Sequence, residues 1–347
     1  MGSGKTTSFD IAHRAGVSQA TVSRALRDSP LVSPETRKKI QRIARELNYQ
    51  VDRRAAGLRS QRSRTLALLM FEDPTSDDSH INPFFLSILG NITRAAARRD
   101  HDVLVSFQQL SSNWHHDYEL SNRADGIILL GYGDYIPFMD KLARLLEEDA
   151  HFIIWGASAP KGHAVGCDNA EGGRIATRHL LDLGRRRIAF IGDTSEHNPE
   201  FRQRWRGYVE TLERAGLAPD PELQVDADNL ETAGFAATAQ LLEARRDFDA
   251  VFATTDLIAF GVMRCLRKAG IVVPSQVSVV GFDDIPAAAY FSPSLTTVRQ
   301  DSEQAAEVLV DHLLKMIQAE PVQSQLLVPT LVVRGSCGAP REGSAAP

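Results

Sequence analysis

Apolar positions along this chain follow two rhythms. Between residues 9 and 47 they recur at helical spacing: Ile11, Ala12 and Ala15, then Val22, Ala25 and Leu26, then Ile40, Ile43, Ala44 and Leu47. Each set lines one face of a short helix. From Arg64 onward continuous apolar runs appear instead, at 66–71, 102–107, 126–130, 151–155, 187–191, 250–253 and 277–282. Helix-like stretches separate them around 84–100, 136–149, 170–183, 201–215, 231–246, 257–269 and 301–318. Uninterrupted apolar strands alternating with amphipathic helices predict parallel sheets covered on both faces. So many units exceed one flavodoxin-sized sheet. The glycine-rich and polar segment 156–172 therefore reads as a crossing between two α/β subdomains. Ligands in such folds bind at the carboxyl ends of the strands, in the crevice between the halves.

The punctuation of the first segment is specific. Gly16 stands where a helix can turn through positive φ without a Cβ penalty. Ser18 is placed to cap a second helix, and Ser33 with Pro34 to open a third. On the second helix Ala20, Arg24 and Arg27 lie opposite the apolar stripe, with Gln19 at its N-terminus. A small residue, an amide and guanidinium groups facing outward suit entry into a DNA major groove, so residues 9–28 read as a helix-turn-helix. The alternative is a three-helix bundle that binds nothing.

Charge separates these readings. Residues 1–64 hold 14 Lys and Arg against 5 Asp and Glu, a net of +9, while the remainder nets −14. A basic head hidden in a slightly acidic whole is the footprint of a phosphate-binding module. The three cysteines, Cys167, Cys265 and Cys337, are far apart and odd in number, which argues against a disulfide framework and for a reducing compartment. No apolar run approaches a membrane span, and the N-terminus has no secretory h-region, so a cytoplasmic protein without membrane association is expected. Residues 336–347, SCGAPREGSAAP, read as a disordered tail.

These features together resemble the LacI/GalR family of bacterial transcription regulators. The likeness is carried by FDIAHRAGVSQATVSRAL, VSPETRKKI and ELNYQ in the head, by RRAAGLRSQRSRTLALL in the hinge, and by NPFF, DNAEGG, GFDDIPAAAY and LTTVRQD in the body. It runs from about residue 8 to 335. The resemblance implies an all-α helix-turn-helix DNA-binding head on a core like the periplasmic sugar-binding proteins, an α/β fold of two parallel-sheet subdomains. The expected division is 1–50 for the head, 51–64 for a hinge helix, and 65–335 for the effector-binding and dimerisation core. Within the core, 65–167 with 298–327 forms one subdomain and 168–297 with 328–335 the other. The implied protein is a homodimeric repressor that binds a palindromic double-stranded operator and answers to a small effector, a sugar.

The same resemblance assigns roles. Gln19, Ala20 and Arg24 occupy base-reading positions, with Ser18, Thr21 and Ser23 beside the phosphates. Leu58, among Arg53, Arg54, Arg59, Arg62 and Arg64, matches a minor-groove wedge that kinks the duplex. The hinge spans about nine residues, fewer than the roughly 12 an isolated helix needs. It should therefore fold only when two protomers hold it against DNA. Phe84, Phe85, Arg204, Asp283 and Gln300 match effector-contacting positions. An acid, an arginine, an amide and aromatic walls are the chemistry for a polyhydroxylated ring. The chain departs from the pattern at Asn229, where relatives often carry a stacking aromatic, and at Thr255, where many carry asparagine before the helix-capping Asp256. Trp155 is then the candidate to supply the stacking face, and Asp168 with Asn169 either contacts ligand or caps a helix.

Other motifs carry little. GSGKTT at 2–7 lacks the first glycine of a phosphate loop and a preceding strand. GYG at 131–133 lacks the third glycine of a dinucleotide fingerprint. His115 and His116 are adjacent, not the i, i+4 pair of a helical zinc site, and read as surface residues. No metal, cofactor or catalytic set is expected, which disfavours an α/β enzyme such as a sugar kinase. A solute-binding protein with the same core is disfavoured by the basic head. Gly338, Pro340 and Gly343 interrupt any C-terminal heptad, which favours a dimer over a tetramer.

Overall fold

A computed structural model describes residues 6–26, 28–49, 62–71, 81–107, 113–131, 135–156 and 162–340, in two compact units that divide after Ser63. Leu58 and all of the expected hinge except residues 62–64 lie outside the described residues. No helix among the described residues is long and apolar enough to cross a membrane.

The first unit is three helices: α1 (Ser8–Ala15), α2 (Gln19–Leu26) and α3 (Pro34–Glu46). Their inward stripes meet in one small core of Ile11, Ala12, Ala15, Val22, Ala25, Val32, Ile40, Ile43 and Ala44, with Leu26 and Leu47 packed against it. Gly16 turns the chain out of α1 at φ 69°, a left-handed conformation that a Cβ would strain. The Ser18 Oγ accepts the Thr21 N–H at 3.2 Å, and the Ser33 Oγ accepts the Thr36 N–H at 3.3 Å, so both expected caps form. The Lys39 ammonium donates to the Ala15 carbonyl at 2.9 Å and satisfies one exposed end of α1.

The second unit holds two six-stranded sheets. The first comprises β1 (Thr65–Met70), β2 (Asp102–Phe107), β3 (Gly126–Leu130), β4 (Phe152–Trp155), β5 (Ala164–Cys167) and β11 (Gln325–Leu327), ordered 11-5-4-3-1-2 and wholly parallel. The second comprises β6 (Ile188–Ile191), β7 (Gln224–Val225), β8 (Ala250–Ala253), β9 (Ser278–Asp283), β10 (Thr296–Arg299) and β12 (Thr330–Val332), ordered 12-10-9-8-6-7. Only β12 runs antiparallel to its neighbour.

The strand period of two explains why the central runs are apolar throughout. In β1, Leu66, Leu68 and Met70 face α4 (Pro83–Arg98), whose Ile88 and Ile92 share their cluster. Ala67 and Leu69 face the opposite layer with Phe138 and Leu142 of α5 (Tyr135–Glu147). Both faces are dry, so no alternation survives in the sequence. β5, β7, β10, β11 and β12 carry no such run, because they are only two to four residues long and several hold polar residues.

The chain crosses between sheets three times. It leaves the first at Asp168, between β5 and α6 (Asn169–Asp182), returns at Gln300–Asp301 into α11 (Ser302–Ile317), and crosses again at 328–329. The segment 156–172 is thus not one connector, because β5 lies inside it. The return falls two residues later than expected, since Val298 and Arg299 still pair with β9. The C-terminal tail also differs from expectation over 336–340. Ser336 and Cys337 are buried, the Ser336 Oγ donates to the Val279 carbonyl at 2.6 Å, and the Ser278 Oγ donates to the Cys337 carbonyl at 2.7 Å. Buried main chain must find partners, and here the second sheet supplies them.

Two helices of the second subdomain pack unusually close. A Cβ on Gly173 of α6 would collide with the Arg204 carbonyl oxygen of α7 (Pro199–Arg214), and one on Gly207 with the Ala170 carbonyl oxygen. The two glycines let the backbones touch, which sets where the Arg204 side chain starts. Gly173→Ala is therefore expected to force α7 outward and destabilise the body by about 1–3 kcal/mol. A lowered thermal midpoint in calorimetry, with the head's own transition unchanged, is the expected result.

Candidate functional site

On the head, Ala20 and Arg24 are exposed on α2, on the side away from Val22 and Ala25. Three carboxylates of this unit are engaged elsewhere: Glu46 pairs with Arg14 at 3.2 Å and Arg42 at 3.7 Å, Asp28 pairs with Arg37 at 3.8 Å, and Asp10 accepts the Thr7 N–H at 2.7 Å. Among the described residues none of them pairs with Arg24. Ser18 is exposed, while Thr21 and Ser23 are half-buried, and the Ser18 and Thr21 hydroxyls bond each other at 2.9 Å. Gln19 is half-buried, and its Nε2 donates to the Ser8 Oγ at 3.2 Å, tying α2 to α1.

In the body, residues scattered from Asn169 to Gln300 converge at the carboxyl ends of the strands. Asp283 ends β9, and its Oδ1 accepts from the Gln300 Nε2 at 2.7 Å, just where the chain leaves β10. Arg204 approaches the same oxygen at 3.9 Å. The Arg204 Nε donates to the Asn169 Oδ1 at 2.8 Å and its Nη1 to the Thr254 carbonyl at the end of β8, while the guanidinium stacks 3.7 Å above the Phe282 ring. All three charged or amide side chains are buried. A buried arginine needs several partners to offset its lost hydration, and here an acid, an amide, a carbonyl and a ring share the task.

Burial pushes the Asp283 carboxyl up to about 6, although Arg204 and the Gln300 amide both pull it down. Its backbone is strained as well. Asp283 and Asp284 sit at φ 114° and 54°, a region that non-glycine residues rarely occupy. The turn is held from behind. The Asp256 Oδ2 accepts the Ile285 N–H at 2.8 Å and its Oδ1 accepts the Thr297 hydroxyl, while Asp284 bridges Arg299 and Arg334 at 2.6 Å each. This changes the expected role of Asp256. Thr255 is the cap of α9 (Asp256–Lys268), accepting the Ile258 N–H at 3.2 Å, and Asp256 braces the Asp283 turn instead. Burial and the neighbouring Asp283 raise the Asp256 carboxyl well above its ordinary range.

The first subdomain contributes aromatic rings. Phe84 lies 5.7 Å from Phe85 and 5.9 Å from Trp155 between centroids. Trp155 is 7% exposed, so most of its indole is core and only an edge is available as a stacking face. The Asp168 Oδ1 caps α6 by accepting the Glu171 N–H at 2.9 Å, and Asn169 holds Arg204. The Asn229 Oδ1, beyond β7, is buried and finds no hydrogen-bond partner among the described residues. His115, expected on the surface, is largely buried beside Glu148 at 3.7 Å, whereas His116 is exposed. No group of three or more His, Cys, Asp or Glu among the described residues is arranged to hold a metal ion.

Sequence reasoning assembled Phe84, Phe85, Arg204, Asp283 and Gln300 by resemblance. It missed Thr254 and the bracing role of Asp256. Backbone carbonyls and buried braces leave no motif, because any residue presents the same carbonyl.

A helix-turn-helix unit joined to a two-subdomain α/β core, with polar side chains gathered at the strand ends, defines a DNA-binding regulator built on a small-molecule-binding fold. Residues 9–52 match the model of the bacterial regulatory proteins of the lacI family, and residues 177–337 that of a periplasmic binding protein-like domain. The ribose operon repressor of Escherichia coli K12 is 30% identical over 335 residues, covering 95% of this chain and 99% of its own. The HTH-type transcriptional regulator CelR of Thermobifida fusca is 33% identical over 316 residues, covering 87% and 90%. Among solved structures, the lac repressor dimer bound to operator and the anti-inducer ONPF superposes with a TM-score of 0.82 at 27% identity, covering 97% of this chain and 100% of that one. A CelR–cellobiose complex gives 0.70 at 31% identity, covering 95% and 99%. The chain belongs to the lacI family of bacterial regulatory proteins.

Proposed function

We propose that this chain is a sequence-specific transcriptional repressor that binds a palindromic operator as a homodimer and is released by a small sugar. The observation that carries the sugar reading is the buried Arg204–Asp283–Gln300 cluster at the strand ends of the second sheet, with the Phe84, Phe85 and Trp155 rings proposed as the opposing wall. An acid with an arginine beside it can clasp vicinal hydroxyls through paired hydrogen bonds, and an aromatic edge covers the apolar face of the ring. The Asn229 Oδ1 adds a buried acceptor that a ligand hydroxyl would satisfy. Relatives named for ribose and cellobiose point the same way. On the head, Arg24 and Ala20 are the proposed base readers, with Ser18, Thr21 and Ser23 toward the phosphates. Gln19 reaches bases only by giving up its bond to Ser8, and Leu58 is proposed as the groove wedge. The limits 1–50 for the head and 51–64 for the hinge are proposed with them, and the core is proposed to run from 65 past Cys337, which packs on the second sheet.

The test is fluorescence anisotropy with DNA from upstream of the chain's own gene, followed by a panel of mono- and disaccharides. Nanomolar, sequence-selective binding that one sugar weakens supports the reading. Selective binding strengthened by a sugar makes that sugar a corepressor, and absence of selective binding returns the chain to a solute-binding role.

A pH dependence follows from Asp283. Its carboxylate is the stronger acceptor for sugar hydroxyls, so affinity for the releasing sugar is expected to fall as pH drops through about 6. The stability effect has the opposite sign. Between about 4 and 6 the folded chain holds this proton more tightly than the unfolded one, so this group favours folding at low pH and opposes it above 6. Sugar titrations at several pH values, with thermal midpoints recorded alongside, separate the two trends.

A further inference from the structure

Three strands of the first sheet begin side by side at one residue. Arg64, the first residue of the body, precedes β1, and β2 and β3 flank that strand. The Arg64 N–H donates to the Asp125 Oδ2 at 2.8 Å, just before β3, and the Arg64 carbonyl accepts the Asp102 N–H at 2.9 Å, at the start of β2. The Thr65 carbonyl accepts the Asp125 N–H at 2.7 Å, so Asp125 grips Arg64 and Thr65 together. The Arg64 guanidinium pairs with Asp100, in the turn before β2. Its backbone sits at φ 52°, a left-handed conformation that an arginine keeps only where its surroundings impose it. The ion pair lies in solvent and contributes little, so the main-chain bonds do most of the holding.

In the sequence Arg64 closes the run of arginines around Leu58, where a cation reads as one more phosphate contact. Its partners in the sheet give it another role. Resting on the operator-binding reading, we propose that Arg64 is a positioning residue of the body and not a DNA ligand. Asp125 and Asp102 clamp its main chain, Asp100 takes its charge, and its left-handed turn fixes the direction in which the chain leaves the sheet toward the head. A palindrome sets the spacing of its two half-sites, so selective binding depends on where each chain leaves its body. Binding to unrelated DNA rests on phosphate contacts alone and does not.

The experiment uses the full-length protein, the DNA from upstream of its own gene, and a scrambled duplex. Arg64→Asn removes the cation, keeps both main-chain bonds, and places there a residue type that tolerates positive φ. The slope of its log affinity against log salt is expected to equal that of the unaltered protein. Loss of a phosphate contact would flatten that slope by about 0.9 for each protomer, or about 1.8 for a dimer. Asp125→Ala removes the acceptor of the Arg64 N–H and is expected to weaken selective binding about tenfold, with binding to scrambled DNA unchanged. Asp125→Asn, whose amide oxygen can still accept that N–H, is expected to restore selective binding. A flattened slope in Arg64→Asn overturns the proposal. So does an Asp125→Ala protein that binds as tightly as the unaltered one, or an Asp125→Asn protein no better than Asp125→Ala. Should Asp125→Ala not fold, the slope of Arg64→Asn decides alone. If the unaltered protein shows no selective binding, the operator reading itself falls, and the positioning role with it.

Discussion

Arg24→Ala is expected to abolish selective operator binding while leaving sugar binding intact. Arg24 is exposed on the face of α2 opposite the head core, and Glu46 and Asp28 of the head are tied to other cations. A bidentate arginine–guanine contact contributes about 1–3 kcal/mol of discrimination. A dimer on a palindrome uses it twice, so the loss is about 2–6 kcal/mol, or roughly 30-fold to beyond 10⁴-fold in affinity. Binding to unrelated DNA rests on phosphate contacts and is expected to weaken far less. Anisotropy on operator and scrambled DNA, paired with calorimetric titration of the releasing sugar, checks both halves. Equal loss of operator and sugar binding would mean misfolding, and would undo the modular reading.

The second large effect is at Asp283. Asp283→Ala is expected to give a protein that binds operator normally and no longer answers the sugar. The change removes the acceptor for ligand hydroxyls, and it strips Arg204 and Gln300 of their shared partner inside a dry site. A hydrogen bond to a charged acceptor contributes about 1.5–3 kcal/mol, so a loss of about 10- to 10²-fold in sugar affinity is the expected scale. Operator complexes of this variant that still dissociate at the usual sugar concentration would remove Asp283 from the effector site.

The two predictions separate because the head and the body have independent cores. Ile11, Val22 and Ile40 close one, and nothing in the second unit is needed to complete it. Reciprocity still binds the functions: if the sugar weakens operator binding by some factor, operator weakens sugar binding by the same factor.

What the sequence by itself determined is local. Gly16, Ser18, Ser33 and Pro34 announce helix ends because capping needs particular atoms within three residues, and Ser18 and Ser33 do cap their helices. The run of apolar residues in β1 and β3 announced parallel strands because both faces had to be dry. The charge division between head and body needed only counting. Tertiary structure decided the rest. Asp256 looked like a helix cap, since Asp at a first turn is ordinarily one. It faces inward because Gly281 leaves space for its carboxylate and the Ile285 N–H needs an acceptor. Cys337 and Ser336 looked like tail, since their neighbours are Gly, Ala and Pro. They are buried because β9 and the residues before it leave donors and acceptors that only a returning strand can satisfy. The site itself joins Asn169, Arg204, Thr254, Asp283 and Gln300 from α6, α7 and the ends of β8, β9 and β10. No periodicity spans such distances, because proximity there is set by how α6 and α7 meet at their glycines and by where the chain crosses between sheets.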